Sequence, residues 1–274
     1  VTGLYYRLSP GQGEQVASMK IELKLIRILF LGLSAVLFAG LTPAQPAVAG
    51  EADALKIIVY GATGRVGSRV VEEALNRGHR ITAVSRDPNR VTKQHENLSA
   101  VQGDVLDPES VSALVGGQDI VVVSVRGSVD KSKQPEKTVH RLAAEVIVNA
   151  LRDLGATAPR LIFVGGAGSL EVKAGVLYAD KLPFFIPGFV RQEIAGHVLT
   201  LEYLRGIDDV RWTYISPAKK FKPGKRSGRY RIGGDRMLTD KKGKSRISME
   251  DFALALVDEA ENSKFIRQRF SVAY

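Results

Sequence analysis

Three glycines spaced by three, Gly61, Gly64 and Gly67, stand between a β-branched run and a helical repeat. That context suits a phosphate-binding loop. Gly61 permits a tight turn, Gly64 lets the backbone approach a diphosphate, and Gly67 lets the following helix pack closely on the strand. Backbone N–H groups and the helix dipole then face the anion, with Thr63, Arg65 and Val66 completing the loop. An ordinary glycine-rich turn is the alternative; the strand before it and the helix after it favour the nucleotide reading.

The ends of the next strands extend that reading to a whole dinucleotide. Enzymes that select NAD place Asp or Glu after the second strand to bind both ribose hydroxyls, whereas this chain has Ser85-Arg86. A guanidinium pairs with a 2′-phosphate and Arg65 can add a second contact, so NADP(H) is favoured over NAD(H). A solvated surface charge is the other reading of Arg86. Gly103-Asp104-Val105 is placed to hold an adenine, Ser124 to Gly127 to pass under a ribose, and Gly165-Gly166-Ala167-Gly168 to border a nicotinamide. All lie where open sheets bind ligands, at the carboxyl ends of strands.

The elements that must position these residues alternate between short apolar runs and helical repeats, the pattern of βαβ units and a parallel sheet covered on both faces. Strands are expected at 55–60, 80–85, 100–102, from Asp119, from Arg160, from Trp212 and over the last residues. Helices are expected after Gly67 up to Gly78, after Pro108, over 135–154, over 189–205, and from a Ser248 cap through Glu261. The expected fold class is α/β, a Rossmann-type doubly wound parallel sheet with a small C-terminal cap or hairpin.

The 274 residues carry a net charge of +10, with ordinary proportions of hydrophobic and charged residues. One large domain is therefore expected. Without cysteine, disulfides, thiolate metal sites and a cysteine nucleophile are excluded. The histidines His79, His95, His140 and His197 are far apart with no ligand spacing, so no metal is expected. GGAGS lacks the G-x-S-x-G order of a hydrolase elbow. The whole charge excess sits in Lys219–Arg246, twelve Lys or Arg against Asp235 and Asp240. Solvated β-hairpin charges account for it best; membrane-surface contact is the next reading, and nucleic acid is not expected.

From Met19, Lys20, Lys24 and Arg27 precede an apolar run, Ile28 to Leu41, and Ala47-Val48-Ala49 supplies a small-x-small site. That is the order of a secretory signal. The run is short against the roughly twenty residues of a membrane span. Residues 19–49 are thus expected to be a signal peptide cleaved after Ala49 or a membrane anchor, either of which exports the domain, with a buried helix as the last reading. Residues 1–18 read as a disordered upstream extension, 50–54 as a linker and 55–274 as the nucleotide-binding domain.

GATGRVG, VSRDP, GDVLDP, VGGAGSLEV, WTYISPA, YRIGGD and SRISMEDFALALVDE together resemble the atypical short-chain dehydrogenase/reductases. The likeness is to the group named for NADH-flavin reduction, with an NAD(P)H-binding, NmrA-like domain, and covers about 55–274. It implies a sheet of order 3-2-1-4-5-6-7 with a small substrate cap after the sixth strand, and an NAD(P)H-dependent reductase. The Tyr-x-x-x-Lys pair of ordinary short-chain dehydrogenases is missing. By count from LEYLR and WTYISP, its helix positions fall on Glu193 and His197, which are i,i+4 on one face.

His197, with an ordinary pKa near neutrality, would manage a proton beside a flavin; a solvated helix pair is the other reading. Tyr178 with Phe184-Phe185 is an aromatic wall for an isoalloxazine or, alternatively, core. The expected partner is a small-molecule electron acceptor, a flavin or a quinone. The alternatives are an NADP(H)-binding sensor or assembly factor, and, more weakly, a sugar-nucleotide epimerase or dehydratase.

Overall fold

The computed structural model describes residues 54–127 and 134–274. The expectations for 1–53 lie outside the described residues. Strands and helices alternate in the order β1 (Lys56–Tyr60), α1 (Gly67–Asn76), β2 (Arg80–Ser85), β3 (Leu98–Gln102), α2 (Pro108–Val115), β4 (Ile120–Val123), α3 (Val139–Leu154) and β5 (Arg160–Val164). Two short strands, β6 (Glu171–Lys173) and β7 (Val176–Leu177), precede α4 (Gly188–Arg205) and β8 (Trp212–Pro217). The chain ends with β9 (Lys220–Lys222), β10 (Arg231–Gly233), β11 (Arg246–Ser248), α5 (Met249–Asn262) and β12 (Gln268–Ala273).

Eight strands form one sheet, β10-β12-β8-β5-β4-β1-β2-β3. Every pairing in it is parallel except β10 with β12. The expected order is therefore present, with β8 and β12 as its sixth and seventh strands and β10 added as an antiparallel edge. In β1, Ile57 and Val59 join one core cluster while Ile58 and Tyr60 join the other. That is why the central strands read as unbroken apolar runs. Helices α1 and α5 cover the first face; α2, α3 and α4 cover the second.

Local sequence sets most of the boundaries. Gly78, at φ +83°, lets the chain leave α1. Asp107 caps α2 by accepting from the Glu109 amide at 3.0 Å, ahead of Pro108 in the first turn. Ser248 Oγ caps α5 by accepting from Asp251 N at 3.0 Å. Strand β3 begins at Leu98, two residues earlier than expected, because it is a half-covered edge strand whose start is set by pairing with Ile81. The basic segment forms C-terminal strands, and their partners are long-range: β9 pairs with β11 and β10 with β12. Its Asp240–Gly243 turn forms as expected, Gly243 N donating to Asp240 O at 2.9 Å.

Order reverses between β1 and β4, the neighbours on either side of which run in opposite directions along the sheet. Such a switch point opens a crevice at the carboxyl ends of the strands. Gly61 follows β1 and Ser124 follows β4, so both stand at that crevice.

Candidate functional site

The loop after β1 is folded by its glycines. Gly61 has φ +82°, and a Cβ there would overlap the Ser124 carbonyl of the neighbouring strand end. A Cβ at Gly67 would overlap the Gly61 carbonyl, so the start of α1 can close on the strand only without a side chain. Gly64 N donates to Gly61 O at 2.9 Å, and Gly64 O accepts from Ser68 N at 3.0 Å. The amides of Arg65 and Val66 have no backbone acceptor among the described residues. Open N–H groups at a helix start, beside a backbone bare of Cβ atoms, fit a diphosphate.

Two cavities share this loop. One, of about 260 Å³, is walled by Gly61, Thr63 and Gly64, the β2 end, Gly103 to Leu106, and Ser124 to Arg126. Expected contacts Arg86, Asp104 and Val105 line it, and Arg90 lies beside them. Arg90 is brought round by a single turn over Pro88–Arg90, which Asp87 caps by accepting from Asn89 N at 3.1 Å. The side chains of Arg86 and Arg90 make no ion pair among the described residues and are exposed. Asp104 spends one carboxylate oxygen on the Leu106 amide, 3.0 Å away, which shapes its own turn.

The second cavity, about 520 Å³, shares Gly64, Ser124, Val125 and Arg126 with the first. Arg65, Val66, Gly165, Gly166 and Ala167 line it, as do Glu193 and His197. Of the expected site residues, Gly67 alone stands behind the cavities, as the packing contact just described. The glycines after β5 have a steric reason. A Cβ at Gly165 would enter the Tyr214 ring, one at Gly168 would enter Ile194, and one at Gly166 would lie 2.9 Å from His197. Glycine there lets α4 and its His197 lie directly on the strand end.

Besides the place of Arg65, which lines the second cavity and not the first beside Arg86 where a second 2′-phosphate contact was expected, the structure corrects three expectations. His197 does not titrate near neutrality: burial, then the positive Arg126, lower its pKa to about 4, so the imidazole is neutral at pH 7. The histidines are not all far apart either. His140 is fully buried and stacks on His197, ring centroids 3.9 Å apart and 14° from parallel, with Glu193 3.8 Å from His140 Nδ1. The three side chains offer ligand atoms within 4.8 Å of one another. A metal must lie in the plane of each imidazole that binds it, and two stacked, nearly parallel planes do not meet between the rings. The arrangement is a stack, with both His140 nitrogens lacking a hydrogen-bond partner among the described residues.

Third, Phe184 and Phe185 do not join Tyr178 as a wall. Tyr178 lines the second cavity, under Lys219 at 4.9 Å, while the two phenylalanines are 91% and 72% exposed. The cavity's apolar wall comes instead from Leu182, Ile186, Val190 and Ile194, with Phe221 and Met249 opposite. Glu193 is also less free than a solvated pair would be, since Oε1 accepts from the Gly127 amide at 2.5 Å. Tyr214 is held from acting as an acid: its hydroxyl donates to the His197 carbonyl at 2.9 Å, and burial pushes its pKa up.

A doubly wound parallel sheet with a glycine loop at its switch point and a double cavity along its carboxyl edge defines a dinucleotide-binding α/β protein. The chain belongs to the NAD(P)H-binding family, whose profile matches residues 61–263. Among solved structures it is similar to a candidate exported protein from Burkholderia pseudomallei, at 38% identity and TM-score 0.68 over 80% of this chain and all of that one. A candidate epimerase from Bacteroides thetaiotaomicron shares 33% identity at TM-score 0.71, covering 81% and 97%. A candidate NADH-flavin reductase from Streptococcus pneumoniae TIGR4 shares 32% at TM-score 0.68, covering 80% and 99%. The fold and the oxidoreductase-like nucleotide site are thus those of the atypical short-chain dehydrogenase/reductases.

Proposed function

We propose that residues 55–274 form an NADPH-dependent reductase of a planar, largely apolar acceptor, a flavin or a quinone. The observation that carries this reading is the pairing of the two cavities. One has two guanidiniums, Arg86 and Arg90, with no ion pair among the described residues, where an adenosine 2′-phosphate would lie; the other is largely apolar and meets it at Gly64 and Ser124. When bound, the nicotinamide supplies a hydride. The protein's own part is placement and exclusion of water. The loop amides and Arg65 hold the diphosphate, Asp104 and Val105 the base, and Gly165 to Ala167 the edge of the ring. Leu182, Ile186 and Val190 dry the acceptor side, and neutral His197 offers a ring nitrogen as hydrogen-bond partner. Glu193 keeps the Gly127 turn in place through one oxygen and sets the other 3.8 Å from His140 Nδ1. This arrangement needs no tyrosine acid, in keeping with the missing Tyr-x-x-x-Lys pair.

The test is NADPH oxidation by the purified full chain with free flavins and short-chain quinones, each compared with NADH. Turnover with NADPH preferred is expected. Saturable NADPH binding without turnover over that acceptor panel would instead select a nucleotide sensor or assembly factor, a reading favoured by the spent Tyr214 hydroxyl and the neutral His197. Epimerase or dehydratase chemistry ranks below both, because it leans on the absent pair. The export pattern before Gly50, together with the likeness to a protein named as exported, supports an extracytoplasmic location, cleaved or anchored. N-terminal sequencing of the chain from fractionated host cells tests it. Among the described residues, no helix is long and apolar enough to cross a membrane.

A further inference from the structure

We propose that the segment 182–190 docks on an anionic lipid surface through Phe184, Phe185 and Phe189. Among the described residues, the exposed large hydrophobics are these three, 91%, 72% and 67% exposed, and Ile232. Three of the four thus fall within six residues, where scattered surface apolar groups would need no explanation but a cluster does. The segment has two apolar faces. Leu182, Ile186 and Val190 point into the acceptor cavity, and the phenylalanines point away from it.

The outward face is held rather than left loose. Arg191 donates to the Pro183 carbonyl at 2.5 Å and to the Ile186 carbonyl at 3.3 Å, and Ile186 N donates to Pro183 O at 3.1 Å. The rings of Phe184 and Phe185 meet edge to face, centroids 5.8 Å apart. Charge selects the occupant. Lys181 and Arg191 flank the phenylalanines and Arg126 borders Phe189 in a third cavity, while the nearest carboxylates along the chain, Asp180 and Glu193, accept from the Leu177 and Gly127 amides. Exposed aromatics ringed by cations suit the interface of a bilayer bearing anionic headgroups. A second copy of the chain fits worse, because a two-fold contact would set Lys181 and Arg191 against their own copies. Seated this way, the lipid lies one segment's thickness from the acceptor cavity, so an acceptor dissolved in the membrane reaches it without crossing water. The docking itself does not depend on the acceptor chemistry, and its test reads lipid contact alone.

The full chain carrying Phe185→Trp is mixed with phosphatidylcholine–phosphatidylglycerol vesicles whose acyl chains are brominated. Trp212, the sole native tryptophan, is buried and serves as a constant background. The expected result is a blue shift of the reporter and roughly two-fold quenching of its emission, with less on pure phosphatidylcholine. Adding Phe184→Ser and Phe189→Ser should lower the vesicle partition of the reporter by about tenfold or more. Phe184→Trp provides a second reporter if the first folds poorly. Vesicle-bound protein with an unquenched reporter would overturn the proposal, since binding then runs through the apolar N-terminal run or the basic 219–246 segment. A blue shift that grows with protein concentration in the absence of lipid would overturn it in favour of self-association.

Discussion

The imidazole of His197, which lines the second cavity, lies nearly parallel to that of His140 behind it, ring centroids 3.9 Å apart. Both are held neutral: burial drives His140 far below its ordinary value, and burial with the nearby Arg126 lowers His197 to about 4. The facing groups are Arg126, Glu193 and the Tyr214 hydroxyl.

A lowered histidine pKa means that the unfolded chain takes up protons first. Stability is therefore full above the ordinary value of 6.5 and falls as pH drops toward about 4. For His197 alone the loss is roughly 2 kcal/mol after allowance for its contact with the cavity. Urea unfolding between pH 7 and pH 4 should show that slope, and His197→Gln should make it shallower, with buried His140 keeping its own share. An unchanged slope in the variant would assign the acid sensitivity elsewhere.

Arg86 and Arg90 should set cofactor choice. Arg86→Ala is expected to raise KM for NADPH by roughly tenfold to a hundredfold while leaving NADH nearly unchanged, as expected for loss of a charge-assisted contact to a phosphate. Arg90→Ala should act in the same direction, more weakly, since its guanidinium enters from the next turn. Equal effects on both nucleotides would place these arginines outside the 2′-phosphate site.

Gly67→Ala should remove nucleotide binding without a new charge or polar group, because the added methyl meets the Gly61 carbonyl. The check is thermal unfolding with and without NADPH, whose protection at saturation should vanish. Gly78→Ala is the control: it also has a positive φ, +83°, but an added Cβ there meets nothing within 4 Å. It should cost stability and keep the protection.

Arg160 and Glu259 form a buried pair, 2.7 Å apart, that ties β5 to the end of α5; Arg160 also donates to the Glu259 and Ala260 carbonyls. Removing the carboxylate leaves a guanidinium inside the protein. Glu259→Ala is expected to cost about 3–5 kcal/mol, read from the urea midpoint at constant m. A loss below 1 kcal/mol would mean that water reaches Arg160 readily.

Much of the site was legible because it is local. The Gly61–Gly67 loop, Arg86, the Asp104 turn and the Gly165–Gly168 loop each follow a strand directly, so strand ends located from apolar runs located them too. Arg90 carried a readable signal, since Asp87-Pro88 opens a turn that returns the chain. Arg126 did as well, standing within the 124–127 loop already assigned to the ribose. His140 carried none: it lies on α3, 57 residues before its stacking partner on α4.

Periodicity and glycine spacing thus determined the layers and the loop after the first strand, because backbone hydrogen bonding and apolar burial act over a few residues at a time, while the strand order came from the family resemblance. Tertiary structure alone decided that His197 is neutral, that His140 lies beneath it, and that Phe184 and Phe185 face outward. Those properties depend on which distant surfaces meet: desolvation sums over every neighbour in space, and no spacing along the chain records it.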